Sequence, residues 1–406
     1  MKAVLADLST PRYLWTAAAG KVKHDAGWGP GGLMRLADVP EPALPTGDGW
    51  LRIKPELSGI CGSDVGLAHA KSSFVMSAFY AEPKAIPGHE IVGVVTHGPL
   101  EGQRVVLDPI LSCVHRGFDP CRTCREGRPY ACERFDEPGI TGCHAPGQGF
   151  SDTIGGGWGE SLVAHETQCF SIGDVPSRRA VLAEPASIGL HAALQWQRTG
   201  DRVVVIGPGT IGLLVTAALR MLHPDLDIAM VSPGEFGSAK ALEAGATRIL
   251  PTGAAAVEAL AASDGGRVVR PRMTKVPILE QGVDAVFDCV GYPDTIDLSL
   301  HLLRPGGMLV LVGAAGKQSV DWSLVWSREL TVQGTINSGP EPSLGGKRTM
   351  AQVAEWLADP GYRVDGLVTH QYDLDEWQQG LSTASAGPGA QAVKVTLRPN
   401  ADVPLV

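Results

Sequence analysis

The chain has 406 residues, which exceeds the size at which one hydrophobic core usually keeps growing, so the sequence favours two domains. Hydrophobic residues make up 44% and charged residues 19%, as in an ordinary globular protein. The formal net charge of −9 argues against a nucleic-acid partner, which normally needs a concentrated basic face, and it favours small-molecule chemistry.

The amino-terminal half is predicted to consist of short β-strands broken by Gly and Pro. Residues 1–8 form a strand-like run without the basic and then apolar pattern of a secretory signal, and further strands are predicted at 50–57, 91–97 and 104–108. No window approaches the roughly 18 apolar residues that a membrane helix requires. We therefore expect a cytoplasmic protein with no membrane partner.

One set of candidate metal ligands is scattered along this half. Cys61 lies in Gly-Ile-Cys-Gly-Ser-Asp, His89 in Pro-Gly-His-Glu and Glu184 in Ala-Glu-Pro. A thiol, an imidazole and one or two carboxylates suit a catalytic zinc, because incomplete coordination leaves room for a substrate oxygen. Taken singly, each residue more often has an ordinary role: Cys61 as a small buried hydrophobe, His89 as a loop histidine and Glu184 as a solvated acid.

A second set is compact and has the spacing Cys-x7-Cys-x2-Cys-x7-Cys. Four thiolates surround zinc tetrahedrally and leave no open position, which is typical of a structural site. The alternative is a group of reduced cysteines in a surface loop. Cys143, Cys169 and Cys289 have no comparable partners, although Cys143 is a possible substitute ligand. The four predicted ligands are Cys113, Cys121, Cys124 and Cys132.

From about residue 201 the pattern changes to alternating strands and helices. Alternation of this length predicts a parallel sheet with helices on both faces. After residues 331–336 the chain returns to loops, a helix near 347–357 and a strand at 392–397, and we expect this tail to rejoin the first domain. The predicted strands of the alternating region are 203–206, 228–231, 285–289 and 308–312, and its first helices are 210–222 and 238–244.

The first strand–helix junction of this region carries the pattern G-x-G-x-x-G. Gly207 permits a tight turn, Gly209 lets the backbone approach a pyrophosphate, and Gly212 allows close packing of helix on strand. The helix amino terminus then offers N–H groups to the phosphates. A glycine-rich structural turn is the alternative. The predicted dinucleotide contacts are Gly207, Pro208, Gly209, Thr210, Ile211 and Gly212.

The second strand of this region ends at Ser232, where the adenosine ribose is expected. An acid at this place would bind the ribose hydroxyls and repel a 2′-phosphate, so its absence removes a barrier to NADP. No Arg follows, Glu235 is acidic, and the nearest base is Lys240. The sequence slightly favours NADP over NAD, unless Ser232 merely caps the turn into the next helix.

Together these segments resemble the zinc-containing medium-chain dehydrogenase/reductase family, nearly from end to end. The resemblance includes Leu-Arg-Pro-Gly-Gly at 303–307 and the strand around Lys394. It implies an α/β fold with a GroES-like catalytic domain at 1–186, completed by 335–406, and a doubly wound Rossmann domain at 187–334. It also implies a catalytic and a structural zinc, NADP or NAD, and contact of the cofactor with Val290.

The resemblance also implies roles for the first ligand set. Cys61 and His89 would bind the catalytic zinc, together with Glu184, which lies in a segment like that of polyol dehydrogenases. Glu90, next to His89, would be a direct or alternating ligand.

Two further residues receive roles in the same way. Asp64 would hold the imidazole of His89 in the required tautomer. Ser63 would take the alcohol proton while the hydride leaves for the nicotinamide.

The sequence departs from the family pattern in three places. Gly66 stands where relatives often have a relay histidine, which His69 or water would have to replace. About seven extra residues lie around 72–81 and are expected to shape the substrate mouth. Phe118 occupies the usual place of the first structural cysteine, so that role passes to Cys113.

The main functional prediction is a zinc-dependent dehydrogenase that oxidises an alcohol or polyol with NAD(P)+ and reduces the carbonyl product in reverse. One alternative is an NADPH-dependent reductase of an activated C=C or C=N bond. Another is a zinc-stabilised binding protein without turnover. Pairing of the strands at 308–312 and 331–334 across a two-fold axis would give a homodimer or homotetramer.

Overall fold

The computed structural model describes residues 1–71, 80, 82–336 and 339–406. This part of the chain divides into two compact units. The first comprises Met1–Glu184, Leu344–Ala358 and Val368–Val406, and the second comprises Pro185–Ser343 and Asp359–Leu367. The sequence-based division differs from this grouping in the tail, where it places all of 335–406 with the first domain.

The strands and helices are as follows. The strands are β1 (Lys2–Asp7), β2 (Met34–Asp38), β3 (Trp50–Gly59), β4 (Lys84–Ala85), β5 (Glu90–His97), β6 (Arg104–Leu107), β7 (Leu162–His165), β8 (Cys169–Ser171), β9 (Arg202–Ile206), β10 (Asp227–Val231), β11 (Arg248–Leu250), β12 (Val268–Val269), β13 (Ile278–Leu279), β14 (Val283–Asp288), β15 (Leu303–Leu311), β16 (Thr331–Gly334), β17 (Val368–Asp373) and β18 (Lys394–Arg398). The helices are α1 (Thr10–Ala19), α2 (Gly62–Ala68), α3 (Arg122–Arg125), α4 (Ser177–Ala180), α5 (Ala183–Gln195), α6 (Thr210–Leu222), α7 (Glu235–Ala244), α8 (Ala254–Asp264), α9 (Pro293–Leu302), α10 (Ser323–Ser327), α11 (Thr349–Leu357) and α12 (Trp377–Ala386).

The first unit is built on a seven-stranded sheet. Its strand order is β17-β18-β3-β5-β6-β8, and β7 also pairs with β3. A smaller sheet has the order β2-β1-β4. The long strand β3 is therefore central, and the carboxyl-terminal strand β18 pairs with it, as expected for a domain that the chain tail completes.

Three strand ends meet at one end of the seven-stranded sheet. Gly59, the last residue of β3, pairs with Glu90, the first residue of β5. Strand β18 runs antiparallel to β3 on its other side, with Thr396 opposite Gly59. Because both neighbours are antiparallel to β3, the residues just after β3 lie beside the start of β5 and the start of β18. This register brings Cys61, His89 and Lys394 into one region.

Helix α1 interrupts the predicted run of strands. Its signal in the sequence is Pro11 in the first turn, a position where proline is favoured. The chain after α1 then packs on the last turn of α2 so closely that a Cβ on Gly27 would lie 1.6 Å from the carbonyl oxygen of Ala68. The segment that follows α1 is thus part of the first unit's core.

The second unit is a six-stranded parallel sheet with the order β11-β10-β9-β14-β15-β16. Numbered in chain order within this sheet, the order is 3-2-1-4-5-6, that of a doubly wound dinucleotide-binding sheet. The central strand β9 is buried on both faces, because Val203, Val204, Val205 and Ile206 are each at most 2% exposed. The predicted fold class is confirmed. In the described ranges no helix is long and apolar enough to cross a membrane.

Candidate active site

Three of the predicted catalytic ligands lie together. Cys61 follows β3, His89 precedes β5, and Glu90 is the first residue of β5. Their ligand atoms all lie within 4.8 Å of one another. His89 and Glu90 are buried and Cys61 is half-buried, so the cluster combines a dry interior with one more open side.

Two glycines make this convergence possible. A Cβ on Gly59 would lie 1.8 Å from Oε2 of Glu90, so only glycine lets the carboxylate pass this point of β3. Gly88 has φ +90°, and a Cβ there would lie 2.4 Å from the Trp158 ring. The glycines of Gly-Ile-Cys and Pro-Gly-His therefore serve the ligands that follow them.

Asp64 fixes the position of Cys61. Its carboxylate accepts the backbone N–H of Cys61 at 2.9 Å in a capping box at the start of α2. Asp64 is 2% exposed, and burial raises its pKa despite the attraction of nearby His89. The carboxylate is therefore part of the cluster's buried charge.

The predicted contact between Asp64 and His89 takes a looser form. Oδ1 of Asp64 lies 3.9 Å from Nδ1 of His89, which is an ion-pair distance and too long for a hydrogen bond. Nδ1 is buried and has no hydrogen-bond partner within the described part of the chain. Burial lowers the pKa of His89, but the negative charges of Asp64 and Cys61 outweigh it and hold the pKa well above its usual value.

This donor set fits a zinc ion. Zinc prefers thiolate, imidazole and carboxylate ligands, and all three types are within reach of one point. A buried imidazole nitrogen without a partner is the kind of group that metal binding and its supporting contacts would organise. The residues present are therefore suited to the metal that the resemblance implies.

Glu90 has a partner that sequence reasoning did not assign. Nζ of Lys394 lies 2.6 Å from each carboxylate oxygen of Glu90 and also donates to the carbonyl of Ile60 at 3.1 Å. Both charged side chains are at most 3% exposed. Burial disfavours the ammonium, yet the negative charges of Glu90 and Cys61 raise the pKa of Lys394, so the pair is ionic.

Glu184 lies in the first turn of α5 and is half-buried. Burial raises its pKa to about 7, although the charge of His89 pulls in the opposite direction and that of Glu90 adds to the rise. The carboxylate therefore belongs to the same electrostatic group as the cluster. The closely packed set itself contains Glu90 as its acid.

The two candidate proton-relay residues, Ser63 and His69, lie at the two ends of α2. Ser63 is exposed in the first turn of α2, beside Asp64. His69, at the end of that helix, bonds through Nε2 to Ser385 at 2.8 Å and packs edge-on against Trp28. Its ring thus contacts α12 and the segment that follows α1. The predicted insertion at 72–81 lies outside the described residues except for Tyr80.

The four predicted structural cysteines also converge. Their sulfur atoms lie within 4.8 Å of one another, with Cys113 Sγ 3.4 Å from Cys132 Sγ. Cys113 thus lies where the spacing argument placed it. Cys143 is completely buried and its thiol donates to the carbonyl of Ala145 at 3.4 Å, apart from this set.

The thiols of the cysteine cluster differ in acidity. Burial opposes ionisation of Cys121, but hydrogen bonds from Thr123 and from the backbone N–H of Cys124 lower its pKa to about 6. Burial raises the pKa of Cys124 to about 11. Four converging thiols of unequal acidity form a closed set of zinc ligands without a position for substrate. Arg116, completely buried, donates to four carbonyls around this loop.

The glycine-rich turn has the geometry that the dinucleotide pattern predicts. Gly207 has φ +98°, and a Cβ on Gly212 would lie 1.9 Å from the carbonyl oxygen of Gly207. Gly209 precedes α6, and a Cβ added to it would have no atom of the described residues within 4 Å, so the space beside this glycine is open. Val290 packs directly on the turn, since its Cγ2 would be 2.5 Å from a Cβ on Gly207. Thr210, Ile211 and Gly212 open α6, and Pro208 packs on Gly237.

The polar side chains after β10 form hydrogen bonds with residues close to them in the sequence. The hydroxyl of Ser232 bonds to the carbonyl of Gly234 and to Ser238, at 3.2 and 3.0 Å. Lys240 donates to Glu243 at 2.7 Å. The hydroxyl of Ser232 is thus bonded within the turn before α7, whose N-cap is Gly234, and Lys240 is engaged by its own helix.

Several site residues were missed by sequence reasoning. Lys394 carried a signal, because a single lysine in the apolar strand Ala-Val-Lys-Val-Thr-Leu predicts a buried partner. Phe150 and Tyr80 carried none, although Phe150 stacks on His89 at 5.4 Å and Tyr80 packs on Phe150 at 5.5 Å between ring centroids. Their positions depend on tertiary contacts alone.

Comparisons with known proteins agree with this geometry. Residues 47–174 match the alcohol dehydrogenase GroES-like domain, and residues 210–359 match the zinc-binding dehydrogenase domain. The chain is 28% identical over 381 residues to the erythritol/L-threitol dehydrogenase of Mycolicibacterium smegmatis, covering 90% of this chain and 94% of that protein. It is 25% identical over 384 residues to the L-threonine 3-dehydrogenase of Edwardsiella ictaluri, covering 93% and 98%.

The fold also matches a solved structure. The 2R,3R-butanediol dehydrogenase of Bacillus subtilis aligns with a TM-score of 0.68 and 24% identity, covering 90% of this chain and 96% of that one. Identity at this level establishes the shared fold, and the two domain matches establish the family. The chain belongs to the zinc-containing medium-chain dehydrogenase/reductase family and is an NAD(P)-dependent oxidoreductase of the alcohol dehydrogenase class.

Proposed function

We propose that this chain transfers a hydride between an alcohol or polyol and NAD(P)+, with Cys61, His89 and an acidic residue as the ligands of a catalytic zinc. The observation that carries the proposal is the convergence of the thiol, imidazole and carboxylate atoms within 4.8 Å at the end of the main sheet. A bound zinc supplies Lewis-acid chemistry that polarises a substrate oxygen.

The residues around the cluster have distinct tasks in this proposal. Ser63 is exposed beside the cluster and accepts the hydroxyl proton of the alcohol, which it passes towards solvent. Asp64 holds Cys61 in place through its backbone N–H and supplies negative charge near His89. Lys394 neutralises Glu90, the acid of the packed set, and Glu184, which belongs to the same electrostatic group, is the second acid that can serve as an alternating ligand.

The four cysteines are proposed to hold the structural zinc. Cys113, Cys121, Cys124 and Cys132 offer four sulfurs to one ion. A tetrahedral ion closed by four thiolates has no open position, so its contribution is to the stability of the loop. Thiols used in this way require a reducing environment, which supports a cytoplasmic location.

The proposed cofactor site uses the turn at Gly207, Gly209 and Gly212, with Val290 against it. Ser232 stands where an acid would bind the ribose hydroxyls. Replacing it (Ser232→Asp) is expected to raise the ratio of kcat/KM for NAD over NADP at least tenfold, because the new carboxylate binds hydroxyls and repels a phosphate. Steady-state kinetics with both cofactors measures this ratio. An unchanged ratio would place the ribose elsewhere.

The main experiment is a screen of alcohols and polyols for reduction of NAD+ and NADP+ by the zinc-loaded protein. Tetritols and β-hydroxy amino acids belong in the screen, because relatives are named for erythritol, threitol and threonine. We expect turnover that is lost in Cys61→Ala and retained in Cys143→Ala, a matched thiol outside both clusters. Full turnover of Cys61→Ala would exclude the proposed site.

The same screen distinguishes the other chemistries. Deuterated NADPH and an unsaturated carbonyl substrate would place label on a carbon without oxygen if the protein reduced C=C bonds. No oxidation or reduction with any substrate, together with normal zinc content, would indicate a binding protein. The proposed dehydrogenase instead transfers label to the carbinol carbon.

A further inference from the structure

An aromatic side chain lies directly against the proposed zinc ligand His89. The ring of Phe150 stacks on the imidazole with 5.4 Å between centroids and 21° between planes. Phe150 is half-buried, as is Cys61 in the same cluster. The ring is thus a surface that the candidate site presents.

The backbone holds Phe150 in this place. Gly149 has φ +89°, and a Cβ there would lie 3.1 Å from Cβ of His89 and 3.0 Å from the carbonyl carbon of Gly88. A side chain at Gly149 would push the loop away from the histidine. The turn is closed by a bond from the N–H of Phe150 to the carbonyl of Gly147 at 3.3 Å. The backbone of the loop therefore places Phe150 next to His89.

A second ring extends this surface. Tyr80 packs on Phe150 at 5.5 Å with a tilt of 51°. Its segment is tied to the Phe150 loop by Glu82, which is 8% exposed and accepts the hydroxyl of Ser151 at 2.5 Å and the backbone N–H of His144 at 2.6 Å. Glu82, two residues after Tyr80 in the sequence, thus bonds to the residue that follows Phe150.

Charges of the cluster also affect the phenol of Tyr80. Burial raises the pKa of its phenol, and the negative charges of Asp64 and Cys61 raise it further. A phenol that stays protonated is an aromatic face with a single hydrogen-bond donor. The neighbourhood of His89 is therefore mainly apolar on this side.

We propose that Phe150 and Tyr80 form an aromatic wall that determines substrate specificity, so that the preferred substrate is an alcohol or aldehyde with a planar apolar group on its carbinol carbon. Benzylic and allylic alcohols have this chemistry. The proposal rests on the proposed dehydrogenase function and specifies its substrate class.

The chemistry of the wall discriminates against polyols. A group attached to the carbinol carbon comes next to these rings when the substrate oxygen reaches the cluster of Cys61 and His89. Polyol hydroxyls placed against ring faces lose hydrogen bonds to water and gain none, which is costly. A planar apolar group instead stacks on the ring and gains both burial and aromatic contact. The wall is therefore expected to disfavour the tetritols for which one relative is named.

The test compares benzyl alcohol with erythritol for the zinc-loaded full-length protein. We expect kcat/KM for benzyl alcohol to exceed that for erythritol at least tenfold. In Phe150→Leu, which keeps an apolar side chain but removes the ring, kcat/KM for benzyl alcohol should fall about two- to tenfold, while that for ethanol changes less than twofold. Phe150→Tyr, which keeps the ring, should retain the preference. Phe170→Leu is the matched control, because Phe170 is also half-buried and stacks under Arg348.

Titration calorimetry with the same two alcohols provides a readout without turnover. Benzyl alcohol should bind more tightly than erythritol to the wild type, and the difference should shrink in Phe150→Leu and in Tyr80→Leu. The second variant keeps the test decisive if the first does not fold. Turnover with erythritol favoured over benzyl alcohol, or equal effects of Phe150→Leu and Phe170→Leu, would overturn the aromatic wall while leaving the dehydrogenase intact. Absence of turnover with every alcohol would instead count against the proposed function, and calorimetry would still decide the binding preference.

Discussion

The ion pair of Lys394 and Glu90 shows how single side chains control the candidate site. Both charges are almost completely buried, and the lysine reaches both carboxylate oxygens at 2.6 Å. A buried pair of this kind contributes little net stability over an apolar substitute, but removal of one partner leaves an uncompensated charge. The pair therefore fixes where Glu90 points more than it stabilises the fold.

Replacing the lysine tests this interpretation. Lys394→Met is expected to lower the free energy of unfolding by about 3–5 kcal/mol, because Glu90 would be left charged and buried. Urea unfolding of the zinc-depleted protein measures the loss.

The double variant Lys394→Met with Glu90→Leu is the control for that measurement. It removes both charges and should recover most of the lost stability, as expected for two groups in direct contact. Additive losses in the double variant would show that the two side chains do not depend on each other.

At the level of helices, strands and loops, the local motifs were predictable and their tertiary partners were not. Gly-Ile-Cys and Pro-Gly-His carry their own signal, because glycine is required beside each ligand. The parallel sheet of the second unit likewise follows from alternating strand and helix patterns, whereas its strand order was not predicted from them. The contact of Phe150 with His89, by contrast, depends on a loop whose place no periodicity encodes. Helix α1 was missed because a strand-rich context outweighed the signal of Pro11.

The loop around the cysteine cluster supports a prediction about pH. His115 is 5% exposed, accepts the backbone N–H of Ser112 at 2.8 Å and bonds through Nε2 to Thr167 at 2.9 Å. Burial lowers the pKa of His115 to about 3, and the positive charge of Arg348 adds to this. The folded protein therefore keeps this imidazole neutral, while the unfolded chain binds a proton near pH 6.5.

The direction of the pKa shift determines how the free energy of unfolding depends on pH. Because the pKa is lower in the folded state, the contribution of His115 is fully present above about pH 6.5 and is lost as the pH falls towards 3. The free energy of unfolding should decrease over this range, and His115→Gln should decrease less steeply. Urea unfolding at a series of pH values gives both slopes. Parallel curves for the two proteins would mean that this histidine is not the titrating group.

For the molecule as a whole, we propose assembly through the edge of the parallel sheet. Strand β16 is the last strand in the sheet order and all four of its residues are exposed. Trp326 in α10 is 85% exposed, and Trp322, the residue before that helix, is 48% exposed. An exposed edge strand beside large apolar side chains is a surface that proteins usually cover. Pairing of two copies along β16 would continue the sheet and bury these rings.

Light scattering after size exclusion tests this assembly. The expected mass is at least twice the 42.6 kDa of one chain. Val332→Lys, which adds a charge to the edge strand, should shift the mass towards one chain, whereas Val22→Lys, on a residue that is 94% exposed in the first unit, should not. A wild-type mass equal to a single chain would contradict the assembly.

The central claim is that folding gathers ligands from separate parts of the chain into two independent zinc sites. Elemental analysis of the purified protein tests it most directly. We expect two zinc ions per chain in the wild type, one in Cys61→Ala with the cysteine loop intact, and one in Cys124→Ser with the catalytic cluster intact. A single zinc in the wild type, or two zinc ions retained in Cys61→Ala, would contradict it.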